Sequence, residues 1–444
     1  MIGRGIGIPF RRGTGGGGTS IPPEIKKSII AWYSPYKQKL TNFDVIESYA
    51  DDFTKWRIEN TGVTSTQKKI VIAAGTELKY NVAYKGFGNS IAEFDIKYTG
   101  NAVIRYQYNK EDGTMGIITI NRSGIYHLPA SIKAQKNFGF YCNPQTVTEE
   151  ATIEQLPTSI LKDLSGNGNH AYLYGGKGKL NSGMGLYKVD FTSWRKSSVQ
   201  IEVKPDVVKV TPNTSDYLFI QYANSVEIPS YKIKVIGLGD NVLKYQYATE
   251  NGRKEINIVE GENELPTSIK VSNDYQIGYR LTPGTSVFTI TQIPDYPDQL
   301  CYDGKMYAVC YGFPILTDYT VMAERTWFEI GDNSCFASKR IGANRGAFAI
   351  EYRKLYAENF GSYNVITFVA NKKEIIVQSK EKYNDKDLIA GNEIDTNQLL
   401  IGGISLNNNR LNEPYIGCHG NIIVADRSFT EEEINWLKQN WDKI

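Results

Sequence analysis

Side chains that carry chemistry are scarce in this chain. Only three histidines, His127, His170 and His419, occur in 444 residues, and none has a ligand-type partner at the short spacings of a metal site. They read as structural or surface residues. The five cysteines (Cys142, Cys301, Cys310, Cys335 and Cys418) are odd in number and include no C-x-x-C pair. That argues against a disulfide framework or a zinc site, and for reduced thiols in a protein that folds in cytoplasm. Charge of one sign is also lacking: 50 Lys+Arg against 48 Asp+Glu leave a net +2, too little to gather nucleic acid or an anionic membrane. No apolar run approaches the roughly 18 residues of a membrane-spanning helix, and the first residues carry arginines without a signal-peptide core.

Enzymatic signatures are missing in the same way. There is no G-x-S-x-G elbow and no H-E-x-x-H. Gly15 to Gly18 lack the Lys-Ser/Thr of a phosphate loop, and Gly175-Gly176-Lys177-Gly178-Lys179 is a basic turn without that context. Two places begin the E-x-D-x-x-E pattern of a paired-acid glycosidase, Glu93-Phe94-Asp95 and Glu393-Ile394-Asp395. Both lack the second glutamate, so no acid and nucleophile pair forms that way. No catalytic residue and no cofactor are expected.

What the chain does contain is a duplication. Asp52-Phe53-Thr54-Lys55-Trp56-Arg57 matches Asp190-Phe191-Thr192-Ser193-Trp194-Arg195, and Ile104-Arg105-Tyr106-Gln107-Tyr108 matches Leu243-Lys244-Tyr245-Gln246-Tyr247. Leu128-Pro129-Ala130-Ser131-Ile132-Lys133 matches Leu265-Pro266-Thr267-Ser268-Ile269-Lys270. Ile153-Glu154-Gln155-Leu156-Pro157 closes one unit and Ile290-Thr291-Gln292-Ile293-Pro294 the other, with the offset holding between 137 and 139. A period that long makes each copy a domain, not a solenoid repeat. The expected division is a peptide at 1–20, copies at 51–157 and 190–294, and a third domain in three pieces at 26–50, 158–189 and 295–444.

Local patterning is β throughout. Phe94, Ile96 and Tyr98 alternate with Asp95 and Lys97, and Glu111-Asp112-Gly113 and Glu250-Asn251-Gly252 break apolar runs as hairpin turns do. Residues 365–370, 371–373 and 374–378 read as strand, turn and strand. Long helices are expected only at the end, where Thr430 and Glu433 form a capping box and Phe429 and Ile434 take the staple positions. Tyrosine dominates the aromatics, 30 against 17 Phe and 6 Trp, which suits strands and equally a sugar- or protein-binding surface. Trp56 and Trp194, present in both copies, read as core residues or as stacking platforms.

Residues 1–20 hold eight glycines, three arginines and no acid, a composition that builds no core. Ile2, Arg4, Ile6, Ile8, Phe10, Arg11 and Arg12 nevertheless look like a short anchor peptide that docks into a partner, tethered by Gly15 to Gly18.

The interrupted domain resembles the laminin-G-like, concanavalin-A-like jelly roll. Ile29-Ile30-Ala31-Trp32-Tyr33 is similar to that family's opening strand, and residues 162–170 (KDLSGNGNH) to its D-x-S-G-N-G-N turn. Tyr319 to Ala323 is similar to an inner strand, and the end from Ile401 through Ile434 to its closing segment. The resemblance implies an all-β fold: a jelly roll interrupted by two homologous inserted β-sandwich domains, with a short C-terminal helix and a Gly-rich N-terminal anchor. The whole arrangement resembles the fibre or spike proteins of tailed bacteriophages, particularly the crAss-like phages. That implies a non-enzymatic virion appendage, held to other virion proteins by its N-terminal peptide, binding host surface polysaccharide, and forming a homo-oligomer such as a trimer. A capsid decoration protein without a ligand and a bacterial surface lectin are the alternatives. On side-chain chemistry, the candidate sugar contacts are Asn167, Asn169 and His170 in the turn and Asn407, Asn408, Asn409 and Arg410 in a polar loop. Asp163 is a weak calcium candidate, set against the reading that Asx side chains stabilise their own turn.

Overall fold

The computed structural model describes residues 20–444 except 177–181, 197–199, 213–216, 223–225, 273–274, 315, 317–318, 330–333, 341–345, 352–354, 357, 360–361, 364–373, 377–397, 408–409 and 442. The anchor candidates Ile2, Arg4, Ile6, Ile8, Phe10, Arg11 and Arg12 lie outside the described residues. So do Asn408, Asn409, the Glu393–Asp395 motif and all of the expected 365–378 hairpin except Glu374–Ile376, which pairs with Thr320–Glu329.

The chain is all-β. One body is a two-sheet sandwich whose strands come from three separate stretches of sequence. Its six-stranded sheet runs Gly183–Met184, Leu300–Asp303, Ile416–Ala425, Thr320–Glu329, Glu374–Ile376, with Ile29–Tyr33 also on Ile416–Ala425. The facing seven-stranded sheet runs Ile160–Leu161, Ala171–Tyr174, Tyr307–Tyr311, Gln398–Ile401, Cys335–Arg340, Gly346–Glu351, Leu355–Tyr356. Between them lies a core that includes Tyr33, Leu173, Tyr302, Phe336, Ile401, Tyr415 and Val424.

Between the first and second stretches, and again between the second and third, the chain leaves this body to build a smaller sandwich. The two small sandwiches match in one five-stranded sheet, strand for strand. In the first, one sheet runs Val63–Ser65, Lys69–Ile72, Ala151–Gln155, Phe94–Thr99, Gly124–Leu128; in the second, Ile201–Val203, Val207–Val210, Phe288–Ile293, Tyr231–Ile236, Gly261–Leu265. The repeated sequence motifs have a physical role at each matching point. Ser131 Oγ accepts the Asn109 N–H at 3.0 Å and Ser268 Oγ the Ala248 N–H at 2.9 Å, both buried. Each thereby closes the end of the Tyr-Gln-Tyr strand, where a backbone donor would otherwise be orphaned. Gln155 and Gln292 clasp the chain at the entrance of each insert to the insert's last strand. The Gln155 amide donates to Asp51 O at 2.8 Å and accepts from Asp51 N at 3.2 Å. Gln292 donates to Val189 O at 2.8 Å and accepts from Lys188 N and Val189 N at 2.7 and 3.1 Å. These clasps hold the two ends of an insert together, which is what lets a loop of the larger body accept a domain at little cost.

The C-terminal helix Glu431–Asn440 has the full capping box, Thr430 with Glu433, and buries Leu437 with Phe429 and Ile434 in a satellite core. Two short helices, Pro23–Ser28 and Pro35–Gln38, were not expected. Each starts at a proline whose fixed φ and missing N–H suit the first helical turn. No helix among the described residues is long and apolar enough to cross a membrane.

Candidate functional site

An open pocket of about 410 Å3 lies where the first insert joins the larger body. Its geometry follows from local sequence. After helix Pro35–Gln38 the chain passes Lys39 in the left-handed region (φ 55°) and enters a turn in which Asp44 Oδ2 accepts from Thr41 N and Thr41 Oγ1 at 2.8 and 2.7 Å. That turn holds Phe43 72% exposed, which leaves most of the ring's apolar area in water. The ammonium of Lys204 sits 5.3 Å from the Phe43 ring centroid. The opposite wall is pinned by Gln38, which donates to Ile160 O and accepts from Lys162 N, both at 2.8 Å. At the base, the Ser48 and Thr158 hydroxyls pair at 2.6 Å, and Ser159 Oγ donates to Ile46 O. The result is a flat aromatic face beside hydroxyls, a carboxylate and the Lys162 ammonium, side chains suited to a polyhydroxylated ligand.

The turn residues taken as sugar contacts are built into the fold. The Asn167 amide donates to Ile29 O at 2.9 Å and the Asn169 amide to Ile30 O at 2.7 Å, while His170 Nδ1 accepts from Asp163 N at 3.0 Å. Asp163 accepts Trp32 N and Ser165 N on one oxygen and Ser165 Oγ and Asn169 N on the other, at 2.8–3.0 Å. Four donors on one carboxylate make it the anchor of its turn and of strand Ile29–Tyr33, and no group of three or more His, Cys, Asp or Glu suited to a metal occurs among the described residues. Asn407 and Arg410 face each other across a hairpin.

Trp56 and Trp194 are core residues: Trp56 stacks on Phe140 (5.6 Å, 24°) and Trp194 tilts against Tyr279 (5.9 Å, 32°). The five cysteines are buried and form no disulfide, and burial pushes the Cys310 thiol up to about 12. A second tyrosine-rich surface, unread in the sequence, lies under the first insert. Tyr174 stacks on Tyr307 at 5.0 Å, and Tyr172 and Tyr174 are buried. Tyr172 donates to Asp95 Oδ2 at 2.8 Å, Asp95 Oδ1 lies 2.9 Å from His127 Nδ1, and Lys97 Nζ lies 4.9 Å from the Tyr311 ring. The second insert has Lys232 and Lys234 where the first has Asp95 and Lys97, and Glu264 opposite Lys232 where the first has His127 opposite Asp95, so the carboxylate sits on the neighbouring strand. Neither the pocket's Phe43 nor this seam carries a motif. The one available signal was an aromatic in a Thr-Asn-Phe-Asp turn where a polar residue is the norm.

No protein-family model matches the chain, and no curated protein matches it. Among solved structures it is similar to the N-terminal CBM22-1–CBM22-2 tandem domain of Paenibacillus barcinonensis Xyn10C, at 10% identity and TM-score 0.16, over 56% of this chain and 96% of that one. It is also similar to an oxalate decarboxylase mutant of Bacillus subtilis, at 11% identity and TM-score 0.14, over 66% and 88%. A third is vicilin from Corylus avellana, at 7% identity and TM-score 0.14, over 54% and 83%. TM-scores this low establish no common fold.

Proposed function

We propose that this chain is a non-enzymatic appendage protein of a tailed-phage particle that binds host cell-surface glycan. On this reading the pocket at Phe43 holds the sugar, and residues 1–12 attach the chain to its assembly. The observation that carries the reading is Phe43 itself: a large, mostly exposed aromatic ring on a braced turn, lining one pocket with Lys162, Ser48 and Thr158. Sugars are held by such a combination, the ring covering the apolar face of a pyranose while the polar groups take its hydroxyls. The described acids of the E-x-D motifs, Glu93 and Asp95, both lie against His127, and Asp95 is also engaged by Tyr172, which fits binding better than catalysis. Sandwiches that project from a body by clasped loops suit display outside a particle. The test is a label-free titration of residues 21–444 with capsular and outer polysaccharides of candidate hosts. Saturable binding to one of them, weakened by Phe43→Ala and by Lys162→Ala, is the expected result; no binding to any of them overturns it.

A ligand-free decoration role is the second reading. It is favoured by exposed aliphatic residues at one end of the second insert, the kind of surface that subunit contacts cover.

A further inference from the structure

The two inserts differ at the end farthest from the larger body. In the second, Ile236, Val242, Val259 and Val287 are 56, 50, 59 and 50% exposed. Strand register gathers them. Val242 and Val259 flank the last cross-strand pair, Leu243 with Ile258, and Gly237, next to Ile236, abuts the backbone of Val287. The matching positions of the first insert are Thr99, Val103, Asn121 and Glu150, of which only Val103 is apolar. The same scaffold therefore tolerates a polar tip, and the aliphatic one is not demanded by folding.

This tip is rigidly braced. Asp240 accepts from Thr285 N, Thr285 Oγ1, Ser286 N and Ser286 Oγ at 2.9–3.1 Å. Asn241 donates to Leu238 O and Ser286 O and accepts from Gly284 N. Glu260 accepts from Gly237 N and Leu238 N at 3.0 and 2.8 Å. A patch held this firmly binds without ordering cost.

Charge then selects the occupant. The loops that form the tip, 236–242, 258–261 and 282–287, contain Asp240 and Glu260 and no basic residue. Residues 1–12 are the reverse, with Ile2, Ile6, Ile8 and Phe10 interspersed with Arg4, Arg11 and Arg12 and no acid. A tip meeting another tip would oppose like charges. We propose that the tip of the second insert is a docking surface for residues 1–12 of a neighbouring copy of this chain. The reach favours a neighbour over the same copy: Ile21 packs in the satellite core beside the C-terminal helix. Strand Phe288–Ile293 alone spans about 20 Å from junction to tip, and only eight residues, 13–20, separate the peptide from Ile21. Such a head-to-tail contact closes into rings when its rotation permits. The inference rests on the anchor role given above to residues 1–12 and names the anchor's partner.

Complementation by sedimentation tests it. The full chain at micromolar concentration should sediment above monomer. The chain lacking residues 1–20, and the full-length Val259→Asp/Val287→Asp variant, should each be monomeric with unchanged circular dichroism and melting temperature. Mixed, the first supplies an intact tip and the second an intact peptide, and a one-to-one complex should form. A Val259→Asp/Val287→Asp variant that associates as the full chain does, a full chain that stays monomeric, or a mixture without complex overturns the proposal. Glycan binding by the chain lacking 1–20 is read separately, so failure of the docking surface and failure of the sugar site are distinguished.

Discussion

Acidification should destabilise the larger body through one residue, His419. It is 0% exposed on strand Ile416–Ala425. Its Nδ1 lies 2.8 Å from Gly420 O, which can only accept, so Nδ1 carries the proton and Nε2 accepts from Tyr302 OH at 3.0 Å. A second proton would place a charge among Tyr302 and Phe336, and burial pushes His419 down from 6.5 to about 4. The sign follows: between those values the unfolded chain binds the proton and the folded one does not, so stability rises with pH across this window and falls as pH drops. At about 1.4 kcal/mol per pH unit, the loss from pH 6.5 to pH 4 is about 3 kcal/mol, of which about 2 kcal/mol is gone by pH 5. Urea unfolding followed by tryptophan fluorescence in a Trp56→Phe/Trp194→Phe background reads the larger body, because the remaining tryptophans lie outside the inserts. His419→Phe costs stability at pH 7 by leaving the Tyr302 hydroxyl unpaired, yet should flatten the pH 5–7 slope. A variant that keeps the wild-type slope would refute the assignment.

Gln155→Leu should destabilise the first insert by about 1–3 kcal/mol, because Asp51 loses both partners of its backbone; Gln292→Leu should do the same to the second. Hydrogen exchange at the Asp51 and Val189 amides checks this, and unchanged protection contradicts the clasp. Thr430→Ala removes the cap of Glu431–Asn440 and should cost about 1 kcal/mol, read as faster exchange confined to that helix; no change would mean the Arg427–Glu433 pair, at 2.6 Å, holds the turn alone. Ser131→Ala and Ser268→Ala should lower the melting temperature of their own insert by similar amounts, since each orphans one buried N–H. Unequal shifts would show that the copies are not energetically equivalent at that joint.

The duplication was legible because both copies solve the same packing problem with the same residues. Trp56 and Trp194 occupy matching cores, and the Leu-Pro-x-Ser-Ile-Lys serines close matching strands. The helix cap at Thr430 was legible because capping is local. The role of Gln155 and Gln292 was not, although both stood in the aligned motifs: a clasp joins residues 104 apart, Gln155 with Asp51, which no window reveals. The pocket escaped for the same reason, since Gln38 meets Lys162 across 124 positions. Asn167 and Asn169 were read by their chemistry as sugar contacts. Donation to Ile29 and Ile30 is the same amide chemistry directed inward, and only the register of strand Ile29–Tyr33 against the turn distinguishes the two uses. Cys301 and Cys418 stand opposite each other across two strands, a proximity that their spacing conceals.

The affinity ratio between the wild-type chain and Phe43→Ala for a host surface polysaccharide tests the central claim most directly. An exposed ring that stacks on a sugar contributes about 1 kcal/mol or more, so the account predicts a loss approaching tenfold with melting temperature unchanged. Equal affinity in the two proteins would contradict a sugar site at Phe43.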